Sequence, residues 1–126
     1  MKAGARLLSG ALLLSLCACA PKPPPAAPPE FQIDCALGYD ALAARIAAVP
    51  GIVLARTPGE PYHYFNAADG HASYVVTLAG GAGHPAVIQQ TAGTDGMIQT
   101  GCSYGDKAGY DRLVAYLKSL AGARHR

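Results

Sequence analysis

This sequence of 126 residues has few of the residues that build many recognition surfaces. It contains no tryptophan and two phenylalanines, and charged residues make up 14% of it. The lack of tryptophan argues against a sugar-binding platform of stacked aromatic rings. The basic residues are scattered apart from the terminal Arg124-His125-Arg126. Because nucleic-acid binding needs a basic stripe that neutralises phosphates, nucleic acid is not expected as a partner.

Long hydrophobic runs are also missing. The apolar stretch near the N-terminus, Leu7 to Leu16, holds about ten residues, whereas a membrane-spanning helix needs about 20. Lys2 and Arg6 precede this stretch and small residues follow it. A basic start, a short apolar core and a small-residue end are typical of an export signal, so residues 1–18 are predicted to be a signal peptide.

Cys19 ends the segment Leu16-Cys17-Ala18-Cys19. A leucine three positions before a cysteine, with a small residue directly before it, resembles the signal of bacterial lipoproteins. The resemblance implies that Cys19 is lipidated and becomes the mature N-terminus. Ala20, where such proteins carry aspartate when they stay in the inner membrane, implies the outer membrane, facing the periplasm. Ordinary cleavage at Ala18-Cys19-Ala20 would instead give a secreted protein, with Pro21 directly after the cut.

Residues 21–29 read Pro-Lys-Pro-Pro-Pro-Ala-Ala-Pro-Pro. Such a run favours polyproline II at about 3.1 Å per residue and predicts a semi-rigid spacer of about 30 Å. We therefore predict a lipidated, proline-rich stalk at 19–29, a folded domain at 30–122 and a tail at 123–126. Once Lys2 and Arg6 are removed, the ten basic residues become eight (10 − 2), which balance the eight acidic ones.

Hydrophobic periodicity predicts an α+β domain. Apolar residues at helical spacing indicate helices over 39–49 and 107–121, the second capped by Asp106 and ended by Gly122. Between them the period changes to two, and turn signals separate five predicted strands: 52–56, 62–66, 72–78, 86–91 and 97–102. A short first strand is possible at 31–34. We expect an antiparallel meander with both helices on one face, in the order (β)-α-β-β-β-β-β-α.

The segment from Gly70 to Thr94 contains no Asp, Glu, Lys or Arg. Exposed strands usually carry charges that discourage edge pairing. One interpretation is that these strands are central in the sheet and covered by the helices. The other is an uncharged sheet face that binds a partner through its polar side chains: Ser73, Thr77, Gln89, Gln90 and Thr91.

Two cysteines remain in the domain, each shortly before a predicted helix: Cys35 and Cys102. Exported cysteines pair by default in an oxidising compartment, so a Cys35–Cys102 disulfide is predicted. Closing a loop of about 68 residues would stabilise the fold by about 4 kcal/mol in the chain-entropy model.

A second interpretation makes Cys35 catalytic. The segments Asp34-Cys35-Ala36-Leu37-Gly38, Pro58-Gly59-Glu60 and His71-Ala72-Ser73-Tyr74-Val75 resemble motifs of the NlpC/P60 cell-wall peptidases. The resemblance implies a cysteine peptidase with Cys35 as nucleophile, His71 as base and His84 orienting that base. Ala36-Leu37 replaces the family's Ser-Gly after the cysteine, and Cys102 offers Cys35 a competing partner.

No cofactor or metal is expected, because the histidines lack the tight spacing of zinc ligands. The sequence therefore favours an envelope lipoprotein whose domain binds or assembles with an envelope protein or a cell-wall component. A cysteine peptidase acting on cell-wall peptides is the alternative.

Overall fold

A computed structural model describes residues 19–23 and 31–123. The predicted signal peptide, part of the stalk and residues 124–126 lie outside the described residues. In the described ranges, no helix combines the length and the apolar character that crossing a bilayer requires. Cys19 is exposed and forms no disulfide with another described residue.

The domain has the α+β class that the periodicity predicts. Its elements are α1 (Tyr39–Ala47), β1 (Val53–Ala55), β2 (Tyr62–Asn66), β3 (Ala72–Thr77), β4 (Ala86–Gly93), β5 (Gly96–Ser103) and α2 (Lys107–Ala123). The five strands form one sheet in chain order, and every neighbouring pair is antiparallel. The predicted meander is confirmed.

Residues 31–34, where a short first strand was possible, form no strand. Side chains hold this segment against the sheet instead. The Phe31 carbonyl accepts hydrogen bonds from the Tyr74 hydroxyl at 3.3 Å and from the Gln89 amide at 3.4 Å. The described domain therefore starts with a segment outside the sheet, held by side-chain donors rather than by strand pairing.

The two helices lie on opposite faces of the sheet, and the prediction of a shared face is wrong. One face of the sheet, which we call the α1 face, is covered by α1. There Leu42 and Ile46 pack in one cluster with these strand residues: Phe65, Tyr74, Val76, Val87 and Cys102. On the α2 face, Leu113 and Leu117 pack with their own set: Tyr62, Val75 and Ile88.

The reason lies in the two strands β3 and β4. Successive side chains of a strand point to opposite faces, and consecutive residues of both strands are apolar: Tyr74-Val75-Val76 and Val87-Ile88, all at most 4% exposed. A strand that is apolar on both sides needs cover on both sides. Burial by a helix on each face also explains why the segment from Gly70 to Thr94 carries no charge, since this segment forms β3 and β4.

The helix boundaries differ slightly from their predictions. α1 ends at Ala47 rather than near Val49. The predicted cap of α2 is confirmed, because the Gly109 N–H donates to Asp106 Oδ2 at 2.8 Å. Gly122 does not end α2, which continues to Ala123, so the first residue of the predicted tail is helical.

The start of α2 docks against the β3–β4 connection through two glycines. A Cβ atom on Gly109 would lie 2.5 Å from the Gly83 nitrogen, which is far inside contact distance. Gly83 itself has a φ of +74°, in the left-handed region that favours glycine. Because neither glycine has a side chain, the backbone of α2 can contact the backbone of the β3–β4 connection.

The predicted disulfide is confirmed. Cys35 and Cys102 are bonded, with a Cα–Cα distance of 5.4 Å and a sequence separation of 67. The bond joins the segment before α1 to the end of β5. It therefore closes α1 and the five strands into one covalent loop, and α2 lies outside that loop.

Candidate functional site

An uncharged row of side chains crosses the α2 face from one edge of the sheet to the other. The strand register aligns one residue from each strand, in the order Val53, Asn66, Ser73, Gln90 and Gln99. The last four are polar, although they lie on the face that also carries the apolar contacts of α2. Such a polar row beside a core is the first indication of a binding surface.

Hydrogen bonds fix part of this row. Ser73 and Asn66 join through their side-chain oxygens at 3.2 Å, and the Tyr64 hydroxyl donates to Gln90 Oε1 at 3.2 Å. Gln90 is 4% exposed. Gln99 differs, since neither its amide nitrogen nor its amide oxygen, both buried, has a hydrogen-bond partner within residues 31–123. The side chains of the polar row on β2, β3 and β4 thus make hydrogen bonds, whereas the amide of Gln99 on β5 makes none among the described residues.

A groove of about 400 Å³ opens beside the ordered part of the row. We call it the tyrosine groove. Polar side chains contribute from β2 and β4, and apolar side chains contribute from α2 and β5; the lining includes Tyr64, Asn66, Gln90, Met97, Leu117 and Leu120. A mainly apolar cavity with a few convergent polar groups is the usual form of a small-ligand site.

Arg56 supplies the one formal charge of the tyrosine groove. It is the sole charged residue among the described residues that line the groove, and it is exposed. It takes part in neither of the ion pairs found within the described ranges. A guanidinium without an acidic partner can accept a carboxylate through two parallel hydrogen bonds.

Tyr62, a buried residue that lines the groove, is held in its neutral form. Burial, followed by the negative charge of Glu60, raises the pKa of Tyr62 to about 12. The phenol is 5% exposed and belongs to the core cluster beneath α2. Its contribution to the groove near neutral pH is therefore an uncharged aromatic wall.

The predicted binding face is not one surface. Ser73, Thr77 and Gln90 belong to the α2 face, whereas Gln89 and Thr91 belong to the α1 face. The register forces this split, because neighbouring residues of a strand alternate between faces. Of the five, Gln90 alone lines the tyrosine groove.

Thr77 has a structural role at the end of β3. Its hydroxyl donates to the Ala86 carbonyl at 3.1 Å, accepts from the Ala86 N–H at 2.8 Å and lies 3.0 Å from His84 Nδ1. These contacts close the β3–β4 connection. They leave Thr77 1% exposed, so it cannot take part in an open binding face.

The three residues of the peptidase interpretation do not come together. Cys35 Sγ is bonded to Cys102 and carries no thiolate in this state. His71 directly precedes β3, while His84 contacts Thr77 at the other end of that strand. Six residues at about 3.3 Å each separate His71 from Thr77 by about 20 Å, so the histidine that contacts Thr77 is too far from His71 to orient it.

A second cavity, of about 470 Å³, lies on the α1 face. Its lining is Gln32, His71, Gln89, Thr91, Ala92, Ile98 and Thr100. Gln89 is 2% exposed, and its Oε1 has no hydrogen-bond partner among the described residues. This cavity brings together three of the residues singled out from the sequence. Its lining contains no Tyr, Phe, Asp, Glu, Lys or Arg, so we place the candidate site in the tyrosine groove.

Sequence reasoning missed Arg56, Asn66 and the α2 wall of the groove. One signal was present, since the alternation in Tyr62-His63-Tyr64-Phe65 puts the two tyrosines on one face. That α2 rather than α1 covers this face follows from tertiary packing. No periodicity within either helix encodes it.

No group of three or more His, Cys, Asp or Glu residues within 19–23 and 31–123 is arranged to hold a metal ion. Comparisons with family models, with curated proteins and with solved structures found no match to this chain.

Proposed function

We propose that this chain is a lipoprotein of the bacterial cell envelope, tethered through Cys19, whose domain binds a ligand without chemically changing it. The tyrosine groove is the observation that carries the binding role. The signal at Leu16 to Cys19 and the stalk that follows support the tether. On this proposal the domain faces the periplasm from the outer membrane, with a cell-wall component within reach of the stalk.

The lining of the groove supports binding rather than catalysis. Amide, alkyl and guanidinium groups predominate there. These groups hold and orient a ligand, but they do not exchange protons near neutral pH as a general acid or base must. The neutral phenol of Tyr62 adds contact area rather than reactivity.

The groove fits a short peptide with a free carboxylate. Arg56 can pair with the carboxylate at the rim, and Asn66 can hydrogen-bond a peptide group. Leu117 and Leu120 of α2 offer apolar contact to short side chains. Among cell-wall components, the peptide part of peptidoglycan has this chemistry, whereas its sugars would favour an aromatic platform.

Sedimentation with purified peptidoglycan tests the binding. The full chain carrying Arg56→Gln should stay in the supernatant, because it lacks the cation that pairs with the carboxylate. Arg45→Gln is the matched control, since Arg45 is also exposed but lies on α1, across the sheet. Equal sedimentation of the two variants and the unchanged chain would exclude the groove as the binding site.

Labelling with a palmitate analogue in bacteria tests the tether. The unchanged protein should incorporate the label and fractionate with membranes, whereas Cys19→Ser should do neither. Cys17→Ser is the control and should behave as the unchanged chain does. Labelling of the Cys19→Ser variant would overturn the assignment of the anchor.

A further inference from the structure

The free edge of β5 is unusually open to pairing. β5 is the last strand of the sheet, and its eight residues include no charged side chain and no proline. Native edge strands are normally short, charged or interrupted by proline, because a long neutral edge attracts another strand. The opposite edge, β1, has three residues.

The hairpin register shows which backbone groups β5 presents outward. Gly93 pairs with Gly96 across the two-residue connection Thr94-Asp95. The closing pair of such a hairpin is hydrogen-bonded, and bonded pairs then alternate along the strands. Ile98 and Thr100 therefore bond to β4, while the N–H and C=O groups of Met97 and Gln99 point away from the sheet.

One end of this edge is already covered. Cys35 Sγ lies 3.7 Å from the Gly101 carbonyl oxygen, and its bond to Cys102 fixes it there. The open stretch is thus Gly96 to Thr100. It carries two exposed apolar side chains, Met97 at 41% and Ile98 at 54%, which lie on opposite faces of the strand.

We infer that the open edge of β5 binds β5 of a second copy of this chain, antiparallel and about a twofold axis at Ile98. Met97 of each copy then pairs with Gln99 of the other through outward backbone groups. Ile98 meets its own equivalent as a non-hydrogen-bonded pair, where side chains approach most closely. The two five-stranded sheets become one continuous sheet.

Charge and symmetry favour a second copy as the occupant. β5 has no charge to repel an identical strand or to select an oppositely charged one. The segment Met97-Ile98-Gln99 is also complementary to a second copy of itself. Across the twofold axis, the exposed Ile98 side chain contacts the Ile98 side chain of the second copy, which is equally apolar. The interface is small, so the dimer should be weak in solution. On the proposed function, tethering to one membrane would raise its effective concentration.

Cross-linking in solution tests this pairing without requiring the anchor or the ligand. The full chain carries Cys17→Ser and Cys19→Ser, which leave no cysteine outside the Cys35–Cys102 disulfide, and is produced under oxidising conditions. Mild oxidation of its Ile98→Cys variant should yield a disulfide-linked dimer several times faster than that of Val53→Cys. Val53 is 59% exposed on the opposite edge and is the matched control. Equal rates would indicate random collision and overturn the proposal.

Sedimentation equilibrium provides the second readout. The chain with Cys17→Ser and Cys19→Ser should shift from monomer to dimer as its concentration rises, and the same chain with Ile98→Lys should remain a monomer at the same concentrations. Ile98 is exposed, so the lysine should leave the fold intact, which circular dichroism checks. A monomer at all concentrations, or a dimer unaffected by Ile98→Lys, would contradict edge pairing at β5. Either result leaves peptidoglycan binding by Arg56 to be judged separately.

Discussion

At the scale of single residues, the polar row on the α2 face combines two glutamines with different environments. Gln90 accepts a hydrogen bond from Tyr64, whereas the amide of Gln99 is buried without a partner among the described residues. An unsatisfied buried polar group costs about 1–3 kcal/mol. Gln99→Met keeps the length of the side chain and removes both polar atoms. We expect it to raise the free energy of unfolding by about 1 kcal/mol in urea denaturation.

Gln90→Met is the control for that experiment. It removes a hydrogen bond that is made and should lower the free energy of unfolding by about 1 kcal/mol. A Gln99→Met variant less stable than the unchanged chain would contradict the assignment. Neither environment was predictable from the sequence, because each glutamine stands in a predicted strand and nothing in the sequence alone separates a satisfied amide from an unsatisfied one. The register between β4 and β5 is what distinguishes them.

At the scale of elements, the periodicity predicted all five strands and both helices, and the turn glycines set their ends. The side of the sheet on which each helix lies was not predictable, since both helices have one apolar stripe. The hydrophobicity of β3 and β4 on both faces was the available signal. It becomes decisive only once those strands are known to lie inside the sheet.

The glycine contact at the start of α2 gives a prediction at this scale. Alanine normally stabilises a helix by about 1 kcal/mol relative to glycine. We expect Gly109→Ala to lower the melting temperature instead, because its Cβ would lie 2.5 Å from the Gly83 backbone. Gly122→Ala, in the same helix with no atom within 4 Å of its Cβ, should raise it slightly. Stabilisation by both substitutions would show that α2 does not dock through Gly83.

At the scale of the whole molecule, the disulfide supplies a large share of the expected stability. A small domain has a net stability of about 5–15 kcal/mol, and the Cys35–Cys102 loop contributes about 4 kcal/mol in the chain-entropy model. Reduction should therefore lower the urea midpoint strongly, and Cys35→Ala with Cys102→Ala should reproduce the change without a reductant. An unchanged midpoint in both cases would mean that the core alone sets the stability.

The disulfide also determines how the domain carries mechanical load. Cys35 lies four positions after Phe31, where the described domain starts, and Cys102 lies shortly before α2. A pull between residue 31 and the end of α2 passes through the sulfur–sulfur bond and bypasses everything from α1 to the end of β5. The sheet then belongs to a closed loop that bears none of the applied force. Tension applied along the chain can peel α2 away, yet it cannot draw the strands out in sequence.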